Sequence, residues 1–155
     1  MGQKKPKVLM FGWEFPPFNS GGLGVACHGL TEALIQENVD ITFVLPRKFG
    51  DPNMPEVKFV FADKNPVKIY SVDSMLQEYV TVTSYNNAIK FVKSTVYGST
   101  LFEEVKRYAI QAKTIAMSEE FDIIHAHDWL SIPAGLIAKE ATGKPLIVHI
   151  HATEF

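Results

Sequence analysis

The chain has 155 residues, 46% of them hydrophobic and 21% charged, and a formal net charge of -2. These values suit one globular domain large enough to bury a core, and with no basic block they exclude the electrostatic footprint of a nucleic-acid binder. Cys27 is the single cysteine, which excludes an internal disulfide.

The first readable element is Val8 to Phe11, a short apolar run suited to a strand buried on both faces. A long loop follows, with Glu14, Pro16 and Pro17, and ends in the glycine turn Ser20-Gly21-Gly22-Leu23-Gly24. From Leu23 to Glu37 the positions Val25, Ala26, Leu30, Ala33 and Leu34 recur at helical spacing, and Asn38 suits the helix end. Ile41 to Leu45 is a second strand, closed by Pro46, and residues 47–56 are a polar loop. Val57 to Ala62 and Val67 to Val72 alternate as strands do, as a hairpin or a peripheral extension; 73–98 has no clear period. Leu101 to Met117 is a helix with Leu101, Val105, Tyr108, Ala109, Ala112, Ile115 and Ala116 on one face and Ser99 or Thr100 as N-cap. Ile123 to Ala126 is a strand, Leu130 to Ala141 a helix stopping at Gly143, and Leu146 to His151 a last strand.

No apolar run approaches the roughly 20 residues of a membrane helix. The lysines near the start precede no signal-type apolar region, so the cytoplasm is the expected compartment. Strands alternating with helices predict an α/β fold with right-handed crossovers, a parallel sheet and ligands at the carboxyl ends of the strands. The chain stops four residues past His151, where such a domain would carry on into another helix, so a piece of a larger protein is expected.

Two segments converge on that edge. Gly21, Gly22 and Gly24 allow a close backbone approach, and the helix start behind them offers N–H groups to an anion such as a diphosphate. The turn is neither a dinucleotide fingerprint, since Cys27 stands where the third glycine belongs, nor a P-loop, since no Gly-Lys-Ser/Thr occurs. A turn that merely feeds the chain into a helix is the plainer reading. For Glu14 it is a solvated surface position, and for Cys27 a small buried hydrophobe.

His125 and His127 share one strand face, as do His149 and His151. The run His125-Ala126-His127-Asp128 lacks the spacing of a zinc H-x-H-x-D-H signature, so no metal is expected. His127 and His151, nearest the strand ends, are expected to face the cleft, with His125 and His149 deeper and structural. Asp128 and Trp129 add a carboxylate and an aromatic face, a pairing that suits carbohydrate.

Glu14-Phe15-Pro16-Pro17, Ser20-Gly21-Gly22-Leu23-Gly24, His125-Ala126-His127-Asp128-Trp129 and His149-Ile150-His151-Ala152-Thr153-Glu154-Phe155 occur in this order. Together they resemble the N-terminal half of the GT-B glycosyltransferases of the glycogen/starch synthase and related group-1 type. The resemblance implies a Rossmann-like sheet with helices on both faces over residues 1–155, an acceptor-side domain whose C-terminal nucleotide-sugar domain is absent. It implies a retaining hexosyl transfer from an ADP- or UDP-linked donor to a glucan or other acceptor, between two domains and without metal or cofactor. By position it implies that Gly21 and Gly22 approach the donor diphosphate and that Glu14 lies at the acceptor side. Asp128 would bind sugar hydroxyls, Trp129 would shape the wall, and His151 would contact the donor sugar. Asn19 stands where glycogen and starch synthases carry a lysine, which favours a broader sugar transferase. On this basis residues 1–155 alone are expected to be inactive.

Two other classes stay open. An NAD(P)-binding oxidoreductase domain would use Arg47 and Lys48 as phosphate contacts. A non-catalytic carbohydrate-binding module would bind glucan in the same cleft.

Overall fold

A computed structural model describes residues 4–19, 21–48, 50–63 and 101–151. In chain order these form β1 (Lys7–Phe11), α1 (Gly22–Gln36), β2 (Asp40–Leu45), β3 (Lys58–Phe61), α2 (Leu101–Ser118), β4 (Ile123–His127), α3 (Asp128–Thr142) and β5 (Leu146–His149). The strands make one sheet in the order β3-β2-β1-β4-β5. Every pairing is parallel, with Met10 opposite both Phe43 and His125, and His127 opposite His149. The order reverses between β1 and β4, the switch point at which open α/β sheets bind ligands.

The two faces of the sheet are set by strand alternation. Met10 points toward α1, whose Thr31 hydroxyl lies 3.8 Å from its sulfur. Phe11 points the other way and meets Tyr108 of α2 edge-on, 6.0 Å between centroids. Gly135 of α3 sits so close to Ala126 that an added Cβ would come within 2.8 Å of the alanine methyl. Helices therefore cover both faces, as expected: α1 on one, α2 and α3 on the other.

Three expectations need correction. In α1 the buried stripe is Leu23, Gly24, Cys27 and Thr31, while Val25 and Ala26 are exposed. The helix runs close to the sheet, so small side chains rather than the larger apolar ones face it, and Thr31 satisfies its hydroxyl on the Cys27 carbonyl at 2.7 Å. β3 is no peripheral extension but a parallel strand of the main sheet beside β2. The last strand stops at His149, so His151 lies just beyond it. Residues 67–72, 73–98, Ser99 and Thr100 lie outside the described residues.

α2 keeps the predicted apolar face but also buries Glu104, Arg107 and Gln111. Arg107 donates through Nε to Glu104 Oε2 at 2.8 Å and through Nη2 to Glu104 Oε1. Its Nη1 donates to the Ala62 carbonyl at 2.9 Å and its Nη2 to the Pro46 carbonyl at 2.8 Å. Ala62 and Pro46 directly follow β3 and β2, so this guanidinium ties α2 to the carboxyl ends of both strands. A rigid fork suits that task because it satisfies a carboxylate and two carbonyls at once.

Candidate functional site at the carboxyl edge of the sheet

The loop after β1 is fixed by its aromatics. Gly12 donates its N–H to the Val44 carbonyl at 3.0 Å. The Tyr108 hydroxyl lies 2.7 Å from the Val44 carbonyl oxygen and 3.0 Å from that of Gly12 and can donate to either. Burial pushes the Tyr108 phenol well above its ordinary value, so it stays a donor. Trp13 meets the Tyr108 ring at 6.0 Å, and Phe15 packs on Phe43 at 4.8 Å and Phe59 at 5.0 Å.

This packing puts Glu14 indoors, at 8% exposure. Its Oε1 accepts the backbone N–H of Gly24 at 3.0 Å and that of Gly21 at 3.3 Å. The reading of Glu14 as a solvated surface residue is thereby overturned. A carboxylate at the α1 N-terminus occupies two donors and complements the helix dipole. Gly24 is required there: an added Cβ would lie 2.4 Å from the Asn19 Cβ and 3.0 Å from Glu14 Oε1. Gly22 differs, because an added Cβ would meet nothing within 4 Å, and the residue is exposed. The turn therefore keeps one glycine for packing and presents another to the outside.

β4 ends in the buried residues His127 and Asp128, 0% and 2% exposed. Asp128 has φ of +65° and opens α3. An L-residue in this left-handed region is strained, and such strain gathers at functional sites. Its Oδ1 accepts the N–H of Trp129 at 3.1 Å, and the Trp129 ring, half-buried, lies 6.0 Å from Phe102.

The four histidines form a ladder on the α1 face. Ring centroids are 4.2 Å apart for His125 and His127 and 4.2 Å for His149 and His151. Across the strands, His127 and His151 are 5.4 Å apart and His125 and His149 5.8 Å, the latter pair stacked with nearly parallel planes at 6°. Nδ1 of His127 lies 3.1 Å from Nε2 of His151. Desolvation, reinforced by neighbouring imidazoles, lowers His127 to about 3 and His125 to about 4, and lowers His151 as well. His125 and His127 are therefore neutral at neutral pH.

The expected division of the pairs changes in two places. His127 is fully buried beneath His151 instead of facing outward, and His149 is exposed instead of deep. β5 is the sheet edge, so its side chains lack a neighbour on one side, whereas β4 is central. His125 is buried as expected. Burial of Cys27 also follows expectation, and its neighbourhood was not legible in sequence: donor atoms of Cys27, His127 and His151 all lie within 4.8 Å of one another. The second turn of α1 thus abuts the histidines, bringing the glycine loop and His151 to the same edge.

The family model described as the starch synthase catalytic domain matches residues 7–155. This chain belongs to that family. Among relatives, it is 25% identical over 148 residues to an uncharacterized glycosyltransferase of Methanocaldococcus jannaschii, covering 96% of this chain and 31% of the relative. It is 23% identical over 153 residues to the glycogen synthase of Mycobacterium tuberculosis, covering 96% and 34%. A sucrose-phosphate synthase structure from Thermosynechococcus elongatus superposes with a TM-score of 0.62 at 14% identity, covering 96% of this chain and 33% of that one. The shared architecture is thus the Rossmann-like sheet of a GT-B N-terminal domain. The chain spans about a third of the length of these relatives. Among the described residues no helix is long and apolar enough to cross a membrane.

Proposed function

We propose that this chain is the N-terminal, acceptor-side part of a retaining glycosyltransferase of the glycogen/starch synthase kind. It would move a hexosyl group in the cytoplasm from an ADP- or UDP-linked donor to a glucan or other carbohydrate acceptor. The observation that carries the reading is the proximity of Cys27, on the helix behind the glycine loop, to His127 and His151. A diphosphate at the α1 N-terminus and a sugar at His151 need those two elements side by side.

Each residue then has a task. Gly22 and Gly21 let the donor diphosphate approach the helix start. Glu14, through the two N–H groups it holds, positions that loop rather than touching the acceptor directly. His151 gives the donor sugar a polar contact, and His127 behind it fixes its ring through the 3.1 Å contact. Asp128 binds sugar hydroxyls and Trp129 walls the acceptor side. A second α/β domain, C-terminal to these residues, would hold the nucleotide with a basic pair and a glutamate motif. Closure of both halves excludes water and aligns the reacting atoms.

The test is His151→Ala in the protein extended by its downstream coding sequence, assayed with labelled ADP- and UDP-glucose on a glucan panel. Turnover should fall about 10²–10³-fold, the scale of one polar contact made in the transition state, with the melting temperature nearly unchanged. Near-normal turnover would sink the assignment. Residues 1–155 alone should incorporate no label, and clear incorporation would overturn the two-domain reading.

A further inference from the structure

We propose that Cys27, His127 and His151 form a binding site for a soft or borderline metal cation, with zinc as the type ion. The three side chains come from α1, the end of β4 and the residues just past β5, so the fold and not a sequence motif assembles them. Their donor atoms lie within 4.8 Å of one another. A tetrahedral zinc with ligands at about 2.0–2.3 Å holds its donors roughly 3.5 Å apart. The widest donor separation allowed by the 4.8 Å limit would therefore have to close by roughly 1 Å.

A second observation points to a ligand. His127 is fully buried, and its Nε2 has no hydrogen-bond partner among the described residues. A neutral imidazole has one N–H and one lone pair. With Nδ1 already facing His151, Nε2 is unmatched in either tautomer, and a buried polar atom left so is costly. A cation held at Nε2 takes that lone pair and leaves Nδ1–H to donate toward His151, which relieves the mismatch.

The donor chemistry selects the ion. One thiolate and two imidazoles suit zinc and its cobalt analogue and disfavour magnesium or calcium, which take oxygen ligands. Binding forms one sulfur–metal and two nitrogen–metal bonds and releases the Cys27 thiol proton to solvent. His151 is half-buried, giving the ion an entry path and leaving a fourth position to water. This donor set includes Cys27, which the sequence alone reads as a small buried hydrophobe. On the transferase reading above, an ion here would withdraw His151 from the sugar and inhibit transfer. That consequence rests on that reading, whereas the binding does not.

The test uses Zn²⁺ and Co²⁺ on the metal-stripped full chain, read by calorimetry and by absorption, so it requires no turnover. A 1:1 Co²⁺ complex with tetrahedral ligand-field bands and a thiolate-to-cobalt charge-transfer band is expected, displaced by Zn²⁺. C27S and H151A, checked for folding by circular dichroism, should each weaken Zn²⁺ binding more than roughly 100-fold, beyond the usual loss on removing an outer partner of a ligand. Absence of the thiolate band in the unmutated chain would overturn the proposal whether or not the variants fold. So would unchanged affinity in C27S, since the ion would then sit on His125, His127 and His149, the neighbouring set with donors equally close.

Discussion

Glu14 and Gly24 are joined across the glycine turn: Oε1 of the carboxylate accepts the Gly24 N–H at 3.0 Å. The same oxygen accepts from Gly21 at 3.3 Å, so one buried acid closes the loop onto the start of α1. Glu14→Ala should therefore destabilise the fold by about 1–2 kcal/mol, the scale of a lost N-cap with its dipole term. Glu14→Gln, which keeps an acceptor but not the charge, should lose less. Urea titration measures both, and a change in E14A within about 0.5 kcal/mol, the scatter of ordinary surface substitutions, would show the bonds to be incidental.

The two glycines of the turn should respond oppositely to one methyl group. Gly24→Ala drives a Cβ to 2.4 Å from that of Asn19 and should lower stability by about 1–3 kcal/mol, as overpacking does. Gly22→Ala meets open space and should fold normally. On the proposed function it should nevertheless weaken donor binding in the extended enzyme. Equal donor affinity in G22A and the parent would remove Gly22 from the diphosphate site.

Acid should unfold the protein through its histidines. His127 and His125 are held neutral when folded, at about 3 and about 4, against an ordinary value near 6.5. The unfolded chain therefore binds more protons below that ordinary value. Stability is full above about pH 6.5 and declines as pH falls toward about 3, by at most about 1.4 kcal/mol per pH unit for the fully buried His127. Denaturant midpoints measured from neutral to mildly acidic pH should show this slope, and His127→Gln should flatten it. An identical slope in H127Q would place the acid sensitivity elsewhere.

Arg107 and Glu104 predict a pattern of rescue. Arg107→Met leaves the Glu104 carboxylate, at 0% exposure, without its cation, and should cost about 3–5 kcal/mol. Adding Glu104→Leu removes the stranded charge and should recover much of that loss. If the double variant is as unstable as the single, the bonds to the Pro46 and Ala62 carbonyls matter more than the ion pair.

The parallel sheet and its helices were legible from apolar runs such as Val8–Phe11 and from the helix period at Val105, Tyr108 and Ala112. The face of α1 was misread because periodicity weights bulk. Close packing on the sheet instead selected Gly24, Cys27 and Thr31, of which only the cysteine reads as strongly apolar. The pairing of Glu104 with Arg107 was not read from the sequence, because nothing in the string marks a charged pair as buried. His127 and His151 were legible as residues near strand ends. The full burial of His127 was not, because it depends on which strand is central and which lies at the edge. Proximity of Cys27 to the histidines joins residues about a hundred positions apart and needs the folded chain.

The left-handed backbone at Asp128 bears on how this protein can be altered. Glycine would adopt φ of +65° without strain, whereas an aspartate there carries a penalty of about 1–2 kcal/mol. A library of variants sorted only for heat resistance or expression should thus enrich Asp128→Gly, since such screens reward relief of strain and are blind to chemistry. The winners of such a sort would be sturdier proteins with no carboxylate at the mouth of β4.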